Sequence, residues 1–204
     1  KLLKSVGKVG KTELESIPKL MPATVLFISK GNEIELIMQV SNFHHRKGGI
    51  LNRVYLGRVE EIQSFTNSKR AIDFSVAGIL LIISLYHFIY WFVRKKDTLL
   101  LIFTLFSALI LLRSLFIGEH LLEEFFSNLR YETAQFMKLI IIYWTPALGI
   151  HFFNLLFPNS FSRRSNQVSY FIAILFTGFA ILAPIRILTF TGIIYVFLIP
   201  IFIT

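Results

Sequence analysis

The densest group of side chains able to do chemistry is Asn42-Phe43-His44-His45-Arg46-Lys47-Gly48-Gly49. Two imidazoles, two cations and an amide suit an anion, a metal or a polyhydroxyl ligand. Adjacent side chains on an extended chain point to opposite faces, so His44 and His45 make a poor chelate by themselves. No Asp or Glu lies between Glu35 and Glu60 to complete a metal set, and no metal is expected. Two readings stand. Asn42, His44, His45, Arg46, Gly48 and Gly49 contact a ligand at the rim of a β domain, or they form a structural loop whose turn is shaped by Asn42 and the glycines. A second group, Gly7-Lys8-Val9-Gly10-Lys11-Thr12, invites a phosphate-loop reading. That loop needs a glycine five positions before Gly10. The position holds Ser5, which makes a basic surface turn the expectation.

A third set of ionisable residues lies in apolar surroundings. Asp73, Arg113, Glu119, Glu132 and Lys138 all fall near the ends of long apolar runs. Ionisable groups at membrane depth are rare and usually paired. Arg113 or Lys138 paired with Asp73, Glu119 or Glu132 is one expectation, and snorkelling of the two cations to the interface is the other. His87 and His151 sit toward the opposite ends of their runs and are expected to make interhelical hydrogen bonds. No Ser/His or Asp/Asp constellation suggests an intramembrane hydrolase. No cofactor is expected, and no catalysis within these residues.

The elements that must position these groups divide in two. Residues 1–70 hold 12 Lys+Arg and six Asp+Glu, half of the chain's charged residues in its first third. Over all 204 residues only 16% are charged and 54% apolar, far from the roughly 25% charged of soluble domains. The absence of Cys excludes a disulfide framework and thiolate chemistry. A helix needs about 20 residues to cross a hydrocarbon core of ~30 Å. Runs at about 74–93, 98–117, 133–157 and 168–184 meet this, and a fifth begins near 188 and continues to 204. Each must be helical, because hydrocarbon offers no partner to a free amide. Residue 1 is Lys and the chain stops within an apolar run, so a longer protein is expected at both ends.

Lys and Arg in short loops set the orientation. Arg94, Lys95 and Lys96 follow the first run, and Arg163 and Arg164 follow the third. The alternate loops hold only Arg130 and Arg186. Loops 94–97 and 158–167 are therefore expected in the cytoplasm and residues 1–70 outside it, with Tyr90 and Trp91 in the inner interfacial belt. The excess positive charge suits anionic lipid head groups better than nucleic acid.

Within 1–66, residues 32–42 alternate apolar Ile34, Leu36, Met38 and Val40 with mostly polar neighbours, the period of a half-buried strand. Residues 24–29 and 53–57 are further strand candidates, with Lys30-Gly31-Asn32 as a hairpin turn. Three strands leave apolar faces uncovered. The fold class expected is thus mixed: the C-terminal part of an extracytoplasmic β-sandwich over 1–66, a linker at 67–70, and an α-helical polytopic bundle over 71–204.

The stretch from Val40 to Ile50, followed by Tyr55-Leu56-Gly57, resembles the end of the extracellular jelly-roll domain of bacterial seven-transmembrane receptors with diverse intracellular signalling modules. Gly7-Lys8-Val9-Gly10 and Ile17-Pro18 are similar to the stretch before it. Gly78, Tyr86-His87, Tyr90 and Arg94-Lys95-Lys96-Asp97 resemble the first helix and inner loop, and Arg113, Leu156-Phe157-Pro158 and Ala183-Pro184 the later landmarks. The resemblance implies a sensor in a bacterial inner membrane. Its partners would be membrane lipids and a small extracytoplasmic ligand such as a carbohydrate, with a homodimer allowed. Its output would come from a cytoplasmic phosphatase, cyclase or kinase module outside these residues. The rival reading from the residues is a multi-pass transporter or channel with an extracytoplasmic β domain. Transporters favour broken helices and midplane polar groups, whereas the ionisable groups here lie toward the run ends.

Overall fold

The computed structural model describes residues 2–19, 23–29, 31, 33–45, 53–94, 97–117, 121–126, 129–158 and 162–203, with the backbone alone at 123, 124 and 199–203. Among the described residues six helices follow one another: α1 Val59–Val93, α2 Thr98–Phe116, α3 Leu121–Phe125, α4 Tyr131–Leu156, α5 Arg163–Leu182 and α6 Ile185–Ile203. Four of them, α1, α2, α4 and α5, are long and apolar enough to cross a membrane. The chain is a multi-pass helical membrane protein.

Short connections make sequential long helices antiparallel neighbours. α1 packs on α2, α2 on α4, α4 on α5, and α6 on both α4 and α5. Local chemistry marks the boundaries. Asp97 caps α2 by accepting the Leu99 N–H at 3.0 Å. Ser162 caps α5 by accepting the Arg164 N–H at 3.1 Å. Pro184 separates α5 from α6, since it cannot continue a helix.

α4 is the central helix and holds the core. Tyr143, Ala147, Ala173 and Tyr195 are fully buried around it. Phe116, Ala134 and Ile141 form a second cluster between α2 and α4. At Gly149 an added Cβ would come within 3.2 Å of the Phe106 ring, so the missing side chain lets α4 approach α2 closely. α1 buries only Ala77 and Ser84. Its outward Ile, Leu and Phe side chains need no protein partner in hydrocarbon, where a lipid tail is as apolar as leucine.

Two expectations change. Residues 67–70, expected as a linker, lie within a helix. α1 starts at Val59, with Glu60 and Glu61 in its first turn where the helix dipole favours acids. Among the described residues, 24–29, 33–42 and 53–57 form no strand ladder. The pairing present is a single antiparallel bridge, with Lys8 and Ile17 exchanging both backbone bonds at 3.0 Å. Isolated strands without a covering layer are not stable on their own.

Candidate functional site

The N-terminal segment is knotted by short-range contacts. Gly7 takes a positive φ of 68°, and a Cβ there would fall 2.2 Å from the Ile17 carbonyl oxygen. Only glycine fits, and Gly7-Lys8-Val9-Gly10 is the corner of the Lys8–Ile17 bridge rather than a phosphate cradle. The Gly10 N–H donates to Ser41 Oγ at 3.3 Å, tying this corner to the next turn.

That turn is built by Asn42. Its Oδ1 accepts the His45 N–H at 3.0 Å, and its Nδ2 donates to the His45 carbonyl at 2.7 Å. An Asn side chain mimicking backbone is the usual device for such a turn. His44 is thereby placed half-buried, with Nδ1 3.5 Å from Ser16 Oγ. Its ring stands edge to face against Tyr131, the first residue of α4, with centroids 6.4 Å apart. A second grip lies on α1. The Tyr55 ring packs on Phe65 at 4.9 Å, and the Lys69 ammonium lies 4.3 Å from the Phe65 ring centroid and 5.2 Å from that of Tyr55. Arg46, Gly48 and Gly49 lie outside the described residues.

Arg113 is exposed on α2, and no hydrogen bond or ion pair joins its guanidinium to another described residue. Half-exposed Glu132 faces exposed Arg130 at 3.6 Å, a solvent-screened pair that contributes little to stability. The Lys138 ammonium lies 5.6 Å from the ring centroid of buried Phe116, linking α4 to the end of α2. Asp73 is half-buried on α1. Glu119 lies outside the described residues.

A family model described as 7TM diverse intracellular signalling matches residues 69–204. The chain belongs to that family. No curated protein and no solved structure matches the chain.

The 7TM diverse intracellular signalling domain thus runs from α1 to α6, and polar contacts between its helices fix their register. Ser84 Oγ donates to Ser107 Oγ at 2.9 Å between α1 and α2, and Ser107 passes its own proton to the Thr104 carbonyl at 3.0 Å. Trp144 Nε1 donates to Thr177 Oγ1 at 3.1 Å between α4 and α5. His151 Nδ1 meets the Tyr170 hydroxyl at 2.8 Å between the same helices, as expected of an interhelical histidine. His87 differs. Its Nδ1 donates to the Ile83 carbonyl one turn back at 2.8 Å, and its ring packs on Phe103 of α2 at 4.5 Å. Sequence reasoning missed Tyr131, Tyr143, Thr191 and Tyr195. The signal available for the last three was Tyr143 three residues before Pro146, and Thr191 and Tyr195 one helical turn apart in a later apolar run.

Proposed function

We propose that this chain is part of a bacterial inner-membrane receptor. It senses a small extracytoplasmic ligand, such as a carbohydrate, and passes the state through its helix bundle to a cytoplasmic signalling module. The family to which residues 69–204 belong supports this reading by its description. The loop basic residues Arg94, Arg163 and Arg164 support placing residues 1–70 outside. The alternating pattern at 32–42 supports reading 1–66 as the end of a jelly roll.

The observation that carries the proposal is the double grip of the N-terminal segment. His44 touches the first residue of α4, while Tyr55 is stapled to α1 through Phe65 and Lys69. A ligand that binds one arrangement of this segment better than another shifts the bundle by that difference in affinity. Asn42 then shapes the rim, His44 couples it to the bundle, and ligand contact falls to His45, Arg46 and the Gly48-Gly49 backbone.

The test uses the full-length protein in lipid nanodiscs, with spin labels at positions 93 and 155 on the inner ends of α1 and α4. Millimolar glucose, galactose, maltose and other mono- and disaccharides are added in turn. At least one sugar should raise the melting temperature and shift the inner-end distance. If none does either, carbohydrate sensing is wrong. If a sugar stabilises the protein without moving the inner ends, transmission through the bundle is wrong.

A further inference from the structure

α4 carries a proline within its span. Pro146 has no N–H, so the Ile142 carbonyl loses its helical partner, and a pyrrolidine ring inside a helix crowds the preceding turn, a common cause of a bend. The next carbonyl, that of Tyr143, accepts a hydrogen bond from the Tyr195 hydroxyl on α6. Tyr143 and Tyr195 are both fully buried.

The attachment is double. Thr191 lies one turn before Tyr195 on α6 and donates its hydroxyl proton to the Leu188 carbonyl at 2.7 Å. Only its lone pairs remain for the Tyr143 hydroxyl, 2.5 Å away, so Tyr143 is the donor. Each tyrosine commits its one proton across the α4–α6 seam. Phe176 of α5 closes the site, with its ring 5.4 Å from Tyr143 and 5.2 Å from Tyr195. A buried hydroxyl without a partner is costly in apolar surroundings. α6 therefore leaves this position only if both hydroxyls find new acceptors.

We propose that this clasp is a bend latch. Tyr195 holds the Tyr143 carbonyl beside the Pro146 break and so sets the angle between the outer half of α4, residues 131–145, and its inner half, residues 147–156. The latch lies between the end of α4 that meets His44 and the end that meets Tyr170 through His151. It is a property of the bundle and holds whether or not the ligand reading does.

These 204 residues hold no Cys, and any Cys elsewhere in the full-length protein is first replaced by Ser, so introduced pairs report alone. Val93→Cys with Leu155→Cys reads the inner ends of α1 and α4, and Ile72→Cys with Met137→Cys reads the outer ends; all four positions are exposed. An arm of ten residues is ~15 Å long, so a change in bend of about 20° moves its tip by about 5 Å. Pulsed spin–spin distances are measured in nanodiscs without any ligand. Tyr195→Phe should shift or split the inner-end distance by about that amount and leave the outer-end distance in place. Tyr143→Phe keeps the carbonyl and should leave both distances unchanged. In a Pro146→Ala background the regular helical ladder returns, and Tyr195→Phe should have no effect. The proposal is overturned if Tyr195→Phe leaves the inner ends in place, if Tyr143→Phe shifts them as far, or if the Tyr195→Phe shift survives Pro146→Ala. Should Tyr195→Phe fail to assemble, Pro146→Ala alone decides: an unchanged inner-end distance means that there is no bend to latch.

Discussion

His44 and Tyr131 meet edge to face, 6.4 Å between ring centroids, and join the Asn42–His45 turn to the first residue of α4. Such an aromatic contact contributes about 0.5–1.5 kcal/mol beyond the area it buries. His44→Ala should weaken the coupling of the N-terminal segment to the bundle by about two- to tenfold, read as the ligand response of the full-length receptor. Tyr131→Phe keeps the ring and should respond normally. A His44→Ala receptor with an unaltered dose–response curve would separate this contact from the signal.

Gly7 gives the clearest stability prediction. Its φ of 68° costs an L-residue about 1–2 kcal/mol, and the Cβ would also meet the Ile17 carbonyl at 2.2 Å. Gly7→Ala should open the Lys8–Ile17 bridge and expose residues 1–19 to protease while α1–α6 stay assembled. Equal rates of cleavage in the two proteins would show that this corner is dispensable.

Arg113 tests the outer charged layer. In the arrangement described, its guanidinium is exposed and joined to no other described residue, so Arg113→Ala should cost little stability. If it pairs with Asp73, Glu119 or Glu132 in a second signalling state, losing a buried pair there costs about 3–5 kcal/mol. A swing from 1:99 to 99:1 takes about 5.5 kcal/mol, so Arg113→Ala should fix output high or low. Normal basal output together with a normal ligand response means that Arg113 only snorkels.

Topology is checked by fusions. A reporter after Asp97 or Arg164 should be active in the cytoplasm, and one placed between Glu119 and Tyr131 outside it. The opposite pattern would invert the positive-inside assignment and place residues 1–70 in the cytoplasm.

The spans were readable because hydrocarbon thickness sets the length of an apolar run. The expected 98–117, 133–157 and 168–184 match α2, α4 and α5 to within a turn or so. α1 was readable only in its apolar part. Residues 59–73 are mostly polar, and a hydropathy reading is blind to a helix standing in water. Its signals were Glu60 and Glu61 at the N-terminus and the lack of any Gly or Pro between Gly57 and Gly78. The shaping role of Asn42 was legible, because an Asn-initiated turn is local chemistry. The Tyr195–Tyr143 contact was not, because it joins residues 52 apart and depends on which face each helix buries.

The Ser84–Ser107 bond sets Phe116 level with residue 75 on α1, and Ala134 packs on Phe116. Tyr131 therefore lies about level with residue 72, and Phe65 stands roughly 10 Å farther out along the bundle axis. His44 and Tyr55 thus meet the two helices at different heights, and a pair of attachments so placed can act as a mechanical couple. A segment that merely rises pulls on α1 and α4 alike and leaves their mutual angle unaltered. A segment that tilts pushes at one point while it draws on the other, so under the proposed function it would hand the two helices torque rather than displacement.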